Sequence, residues 1–147
     1  MKLSTELESA LTAGTPADVL RATLDQFQCE AGTVHLLTDG ALALAAHVNI
    51  PPPVVQIVQT VPIGKGIAGL AAERRAPVSL CNLQTDTSGQ ARPAAKTTGM
   101  EGSVAVPMLR GELLRGVLGI AKAQAHDWSD AEKAELLAIA ARLAARF

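Results

Sequence analysis

Apolar residues recur at helical spacing in five stretches of the chain, each next to capping residues, proline or glycine. In the clearest stretch, Val19, Leu20 and Leu24 follow an N-cap threonine and a proline at the first helical position. The predicted helices are a short one from a capping box of Thr5 and Glu8 to Gly14, one from Thr15-Pro16 to Phe27, residues 52–60, residues 67–74, and residues 130–147 after a capping box of Ser129 and Glu132.

Shorter apolar runs bounded by turn residues predict β-strands between these helices. The strongest signal is Asp39-Gly40, a pair typical of two-residue hairpin turns, between two apolar runs. The predicted strands are residues 33–38 and 41–48 in a first hairpin, a short strand at 77–80, and residues 103–109 and 114–121 in a second hairpin with a turn near Gly111-Glu112.

The predicted register of the first hairpin places apolar side chains on both faces of its strands. It pairs His35 with Leu44 and Val34 with Ala45, and it leaves His35 and His47 on opposite faces of the sheet. A sheet that is apolar on both faces must be covered on both faces. The pattern therefore predicts helices on each side of the sheet.

Gly64, Gly66 and Gly69 have the spacing G-x-G-x-x-G and lead into a helix of small residues. This spacing occurs in dinucleotide-binding βαβ units, which need a buried strand before the glycines and an acidic residue about twenty positions later. Here a predicted helix precedes the glycines, and Asp86 lies in a polar loop. Two interpretations remain: a turn that needs glycine for its backbone angles, or a cluster of backbone N–H groups that contacts a ligand.

The composition favours one domain over residues 1–147, since 48% of the residues are hydrophobic, 18% are charged and the net charge is −1. Scattered positive charges argue against a nucleic-acid partner, and no apolar stretch has membrane-spanning length. We expect a cytoplasmic protein, because the N-terminus lacks a signal-peptide core and Cys29 and Cys81 form no pattern. The three histidines lack partners at metal-ligand spacing, so neither a metal nor a cofactor is predicted.

A long polar segment over residues 82–99 separates the two halves of the predicted sheet, and loops of this length are often functional. Asp86 and Arg92 lie in it. Either they supply charge to a pocket from a lid, or the loop is solvated and Asp86 caps a turn. Met100 and Ser103 follow at the start of the second hairpin, where they line a pocket wall or, for the methionine, fill the core.

The order of elements and four short motifs resemble a GAF domain, the small-molecule sensor domain of signalling proteins. The motifs lie at residues 61–69, 103–108, 114–120 and 127–132, so the resemblance covers nearly the whole chain. It implies an α+β fold: a mostly antiparallel central sheet of five to six strands with helices on both faces.

The resemblance also implies a ligand pocket between one face of the sheet and the segments near residues 64–69 and 82–102. Backbone N–H groups at the start of the fourth helix would meet the ligand there, where the helix dipole favours an anion or a carboxylate. The expected ligand-binding residues are Gly66, Ile67, Ala68, Cys81, Asn82, Asp86, Arg92, Met100 and Ser103.

The favoured function is a non-catalytic sensor whose small polar or anionic ligand orders the loop over residues 82–102. The chain carries no kinase or output motif, so a homodimer or a signalling partner such as a sensor kinase would detect the change. Residues 4–13 and 130–147 are the expected dimer or partner surface.

Two alternative functions remain open. One branch of the family reduces free methionine sulfoxide with cysteines, but Ala68 and Lys96 stand at the matching positions here. A redox enzyme or thiol sensor would therefore centre on Cys81, which is otherwise expected to be a small buried side chain at a strand end. The second alternative is a module that binds no ligand and only dimerises.

Overall fold

The computed structural model describes residues 2–147, and within this range it contains five α-helices, six β-strands and one 3₁₀ helix. In chain order the elements are α1 (Thr5–Ala13), α2 (Pro16–Phe27), β1 (Ala31–Thr38), β2 (Ala41–Val48), α3 (Pro52–Val58), β3 (Thr60–Pro62), α4 (Gly66–Arg74), β4 (Val78–Leu80), the 3₁₀ helix (Pro93–Thr98), β5 (Ser103–Arg110), β6 (Leu113–Ala121) and α5 (Asp130–Arg146).

The six strands form one sheet in the order β3-β2-β1-β6-β5-β4, and every neighbouring pair is antiparallel. The two long hairpins therefore lie side by side, with β1 paired to β6 in the middle of the sheet. This topology confirms the predicted α+β fold. The glycine motif follows α3 and the short edge strand β3, so it does not belong to a parallel βαβ unit, and the dinucleotide interpretation is excluded.

Helices cover both faces of the sheet, as the two-sided apolar pattern predicted. On one face α1, α2 and α5 bury a cluster of large side chains that includes Leu7, Leu20 and Leu143. On the other face α4 packs over a smaller cluster that includes Leu42 and Val117. Within residues 2–147, none of the helices combines the length and the hydrophobicity that crossing a membrane requires.

The first hairpin has the predicted turn but not the whole predicted register. Asp39 and Gly40 both have positive φ, 51° and 81°, as a type I′ turn requires. His35 faces Leu44 as expected, but Val34 pairs with Ala46, because a β-bulge at Ala45 adds a residue to β2.

The bulge also changes which side chains share a face. Thr33 pairs with His47 and lies on the same face of β1 as His35. His35 and His47 are therefore on the same face, and the expectation that they lie on opposite faces was wrong.

Local corrections concern the ends of two helices. The N-cap of α1 is Ser4 rather than Thr5, because the Ser4 hydroxyl accepts a hydrogen bond from the Leu7 N–H at 3.1 Å. The predicted helix over residues 52–60 ends at Val58, and Thr60 begins the edge strand β3, which pairs with β2. The capping boxes of α2 and α5 form as predicted.

Candidate functional site

The floor of a cavity of about 160 Å³ is a part of the sheet that carries small side chains. Ala105 of β5, Gly119 of β6 and Thr33 of β1 are direct cross-strand neighbours in one row, and Ser103 and Ala121 pair in the next row. The residues between them in sequence point to the opposite face and are larger. Because the cavity face carries little side-chain volume, α3 and α4 cannot fill the space above it.

The walls come from three separate parts of the chain. Apolar residues of α3 and β3 form one side, the start of α4 forms another, and the segment between β4 and β5 closes a third. The wall residues from these parts are Val54, Ile57, Val58, Val61, Lys65, Gly66, Ile67, Ala68, Leu83, Ala91, Arg92, Ala94, Ala95, Thr98 and Met100. The cavity is therefore mostly apolar, with few polar groups that can fix the orientation of a ligand.

The turn before α4 requires glycine for structural reasons that do not involve a ligand. Gly64 and Gly66 have φ of 90° and 67°, and a Cβ on Gly69 would lie 2.5 Å from the Pro62 carbonyl oxygen. The turn also places the beginning of α4 against the cavity. Gly69 is the first residue whose N–H bonds back to the N-cap, Lys65, so the N–H groups of residues 66–68 have no acceptor within the helix.

Arg92 brings a positive charge to the start of α4. Its aliphatic part covers Gly66, since a Cβ there would lie 3.1 Å from both Cγ and Cδ of Arg92. Its Nη1 is buried and has no hydrogen-bond partner among residues 2–147. A buried guanidinium nitrogen without a partner is costly, and a carboxylate or another anion is the partner that fits it best.

The charges around the cavity have one sign. Within residues 2–147, the wall includes the cations Lys65 and Arg92 and neither an aspartate nor a glutamate. The positive end of the α4 dipole adds to their field. The part of the cavity near Lys65, Arg92 and the start of α4 therefore favours an anionic group.

His35 supplies a different polar group from the floor. Its side chain is buried, with 2% of the residue exposed, and its Nε2 lies 2.8 Å from the Val58 carbonyl oxygen. A carbonyl oxygen only accepts, so Nε2 carries the proton and Nδ1 has a free lone pair. This Nδ1 is buried, and no group in the described part of the chain hydrogen-bonds to it. Burial lowers the pKa of His35, which keeps the imidazole neutral at pH 7.

The structure brings some of the expected ligand-binding residues together and leaves others apart. Six of them line the cavity: Gly66, Ile67, Ala68, Arg92, Met100 and Ser103. Cys81, Asn82 and Asp86 are not in its wall. Asn82 accepts the Gln84 N–H, and the Asp86 carboxylate accepts from the N–H and hydroxyl of Ser88, so both side chains stabilise local turns.

Sequence reasoning missed the floor of the cavity, which includes Thr33, Ala105, Gly119 and Ala121, and it considered His35 only as a metal ligand. One signal was present in the sequence. Residues 103–106 and 118–121 read small-large-small-large and large-small-large-small, so one face of this part of the hairpin carries only small side chains.

The two cysteines lie apart, and neither is in the cavity wall. Cys81 is exposed, which corrects the expectation that it is buried at a strand end. Cys29 precedes β1 and Cys81 follows β4, and these strands are three positions apart in the sheet. Three strand spacings amount to roughly 14 Å, too far for a disulfide without rearrangement. Burial raises the pKa of the Cys29 thiol to about 12.

The chain belongs to the GAF domain family, because a family profile described as "GAF domain" matches residues 13–147. This family is, in general, one of sensor and regulatory domains. Among curated proteins, none is significantly similar to the chain in sequence.

Solved structures with the same fold include proteins of different function. The chain is similar to the GAF domain of a phosphoenolpyruvate-protein phosphotransferase from Coxiella burnetii, with 24% identity, a TM-score of 0.73 and coverage of 97% of this chain and 82% of the other. It is also similar to the free methionine-R-sulfoxide reductase of Neisseria meningitidis, with 17% identity, a TM-score of 0.77 and coverage of 96% and 83%. A GAF sensor protein described as putative, from Burkholderia vietnamiensis, matches with 16% identity, a TM-score of 0.75 and coverage of 97% and 95%. At these identities the similarity shows the fold.

Proposed function

We propose that this GAF domain is a non-catalytic sensor that binds a small anionic molecule in the cavity between the sheet, α3, α4 and residues 82–102. Binding would hold the 82–102 segment against α4, and the resulting change would be transmitted to a partner or across a dimer. The ligand favours the arrangement in which the 82–102 segment lies against α4 only by the difference between its affinities for the domain with and without that contact.

One observation carries this proposal: among residues 2–147 the buried Nη1 of Arg92 has no partner, and Arg92 lines the cavity together with the start of α4, whose first N–H groups have no acceptor within the helix. Both features meet an anion, and a preformed cavity leaves room for the rest of the molecule. The glycines would be needed for the turn even without a ligand, so the proposal rests on Arg92 and the cavity rather than on the glycine motif.

A thermal-shift screen with small carboxylates, amino acids and nucleotides tests this proposal, because a ligand of the native state raises the melting temperature. We expect a small carboxylate to stabilise the native chain. Ala121→Leu fills the cavity from its floor and should abolish that shift. Ala125→Leu, at an exposed position outside the cavity, should preserve it. Equal shifts in both variants would contradict binding in this cavity.

We further propose that residues 4–13 and 130–147 form the dimer or partner surface. The large apolar residues of α1 and α5 pack against the sheet, so they are not available to a partner. The outer face of α5, however, exposes small side chains at helical spacing that allow close approach of another helix: Ala134, Ala138, Ala141 and Ala145.

Thiol chemistry centred on Cys81 fits the geometry less well. Cys81 lies outside the cavity wall, and Cys29 is too far from Cys81 to form a disulfide with it. At the start of α4, Ala68 stands where the reductases of the family have a cysteine. If the chain is a thiol enzyme or a redox sensor, Cys81→Ser should abolish reductase activity with free methionine sulfoxide or the response to oxidants. We expect no such activity, and ligand stabilisation in Cys81→Ser equal to that of the native chain.

The two thiols should differ strongly in reactivity. The ordinary cysteine pKa of 9.0 is raised to about 12 in Cys29, so the thiolate population at pH 8 falls about a thousandfold. Iodoacetamide should therefore alkylate the exposed Cys81 well before Cys29, as measured by mass spectrometry of time points. Equal rates at both positions would show that Cys29 is accessible and ionised, which this structure contradicts.

A further inference from the structure

The unpartnered nitrogen of His35 limits the chemistry of the ligand. Val58 fixes the proton on Nε2, so the buried Nδ1 is a hydrogen-bond acceptor, and His35 lines the same cavity as Arg92. A buried acceptor without a donor is unfavourable, and nothing else in the wall bonds to it. Two residues that line the cavity therefore each leave a buried polar atom unsatisfied among residues 2–147: Nη1 of Arg92, which an anion would satisfy, and Nδ1 of His35, which a hydrogen-bond donor would satisfy.

We propose that the ligand is a small hydroxycarboxylate, with its carboxylate at Arg92 and the start of α4 and its hydroxyl donating to Nδ1 of His35. This inference rests on the proposed function and makes His35 the residue that determines specificity. The alanines of the floor and the apolar side chains of α3 would surround the hydrocarbon part of the ligand.

The charges on the wall favour a hydroxyl over an amino group as the donor. An ammonium would lie in a cavity that contains Lys65, Arg92 and the positive end of α4, and within residues 2–147 no carboxylate of the wall compensates for it. A neutral hydroxyl meets no such repulsion. It satisfies Nδ1 at the cost of a single desolvated polar group.

The size of the cavity limits the ligand to a small molecule. An apolar protein cavity of about 150 Å³ binds benzene, so a cavity of about 160 Å³ accommodates a molecule of roughly six to nine heavy atoms. A carboxylate with five or six carbons has a matching number of heavy atoms. We therefore choose 2-hydroxy-4-methylpentanoate as the probe.

Calorimetric titration compares this probe with three analogues that each change one group: 4-methylpentanoate lacks the hydroxyl, leucine replaces it with an amino group, and the methyl ester of the hydroxy acid removes the charge. In the native chain we expect the hydroxy acid to bind at least tenfold more tightly than each analogue. A site that bonds a substrate hydroxyl discriminates strongly against the analogue without it.

Variants of His35 test whether its side chain is responsible for the preference for the hydroxy acid. Leucine at this position, His35→Leu, removes the acceptor and should reduce the preference for the hydroxy acid over 4-methylpentanoate to nearly one, while 4-methylpentanoate still binds. His35→Gln keeps an acceptor oxygen and an N–H for Val58, so it should retain part of the preference. If His35→Leu does not fold, the ¹⁵N resonance of Nδ1 in the native chain provides the readout. It should move upfield with the hydroxy acid and stay in place with 4-methylpentanoate.

The outcomes separate this inference from the proposed function. If the four probes bind equally, the cavity recognises neither the hydroxyl nor the charge of the ligand, so the anionic ligand of the proposed function is overturned together with this inference. Equal binding of the two acids would mean that water satisfies Nδ1, and tighter binding of leucine would assign an amino acid; each overturns this inference alone. A preference that persists in His35→Leu would assign the hydroxyl to another group, such as Thr33 or Ser103. If no probe binds, and the wider screen also finds no ligand, both proposals fail.

Discussion

Replacing Gly116 by alanine is expected to destabilise the fold by about 4 kcal/mol or more, which is a large fraction of the stability of about 5–15 kcal/mol of an ordinary domain. A Cβ on Gly116 would overlap the His35 carbonyl oxygen and would lie 3.1 Å from the sulfur of Met108. The methionine can move, but the carbonyl belongs to β1, which is held on both sides by β2 and β6. The strands would have to separate at the middle of the sheet, beside the floor of the cavity.

Gly119→Ala is the matched control for Gly116→Ala on the same strand. A Cβ on Gly119 would lie 3.4 Å from the Thr33 hydroxyl oxygen and 3.8 Å from the Val104 carbonyl oxygen, both ordinary contacts. We expect the stability of this variant to change by less than about 1 kcal/mol. Urea unfolding followed by circular dichroism measures both variants. Similar midpoints for the two would show that β1 and β6 are not as close as the structure places them.

Arg92→Gln is expected to weaken carboxylate binding about a hundredfold, or about 2.7 kcal/mol. Truncating one partner of a buried charge pair commonly has an effect of this size. Glutamine keeps the Cγ methylene and places its amide carbon at the position of Cδ, so it still covers Gly66, and the stability of the free domain should change little. Calorimetric titration with 4-methylpentanoate measures the change in affinity, and thermal unfolding without ligand measures the stability.

Arg110→Gln controls for the loss of a positive charge elsewhere in the molecule. Arg110 is exposed at the end of β5 and is not in the cavity wall. Its substitution should leave the affinity for 4-methylpentanoate within about twofold of the native value, because exposed charges beyond a Debye length are screened. If both variants weaken binding equally, the carboxylate responds to net charge, and Arg92 has no special role.

Most of the structural features that could be predicted depend on residues only a few positions apart in the sequence. Turn residues and caps act within a few positions, so Asp39-Gly40, Thr15-Pro16 and the capping box of α5 could be read directly. The bulge at Ala45 could not be predicted in this way, because a single extra residue in β2 leaves the apolar pattern of the strand nearly unchanged. The short strand β3 was hidden for a similar reason, since three residues are too few to show an alternating pattern.

The candidate site was harder to predict because its polar groups depend on contacts between distant residues. The free lone pair of His35 exists because Val58, 23 positions later, accepts the proton on the other ring nitrogen. The position of Arg92 over Gly66 depends on how the segment between β4 and β5 folds back onto α4. No local pattern specifies either contact. The family resemblance predicted where the cavity lies, and the alternation of small and large residues in β5 and β6 would have identified its floor.

The central claim is that an anion occupies the cavity at the start of α4, and an amide NMR titration tests it most directly. On addition of 4-methylpentanoate, the backbone N–H resonances of Gly66, Ile67 and Ala68 should shift downfield and saturate with one dissociation constant, while those of the hairpin turn at Gly111 stay in place. Unchanged resonances for these three residues at a concentration of carboxylate that raises the melting temperature would contradict the claim and place the binding site elsewhere.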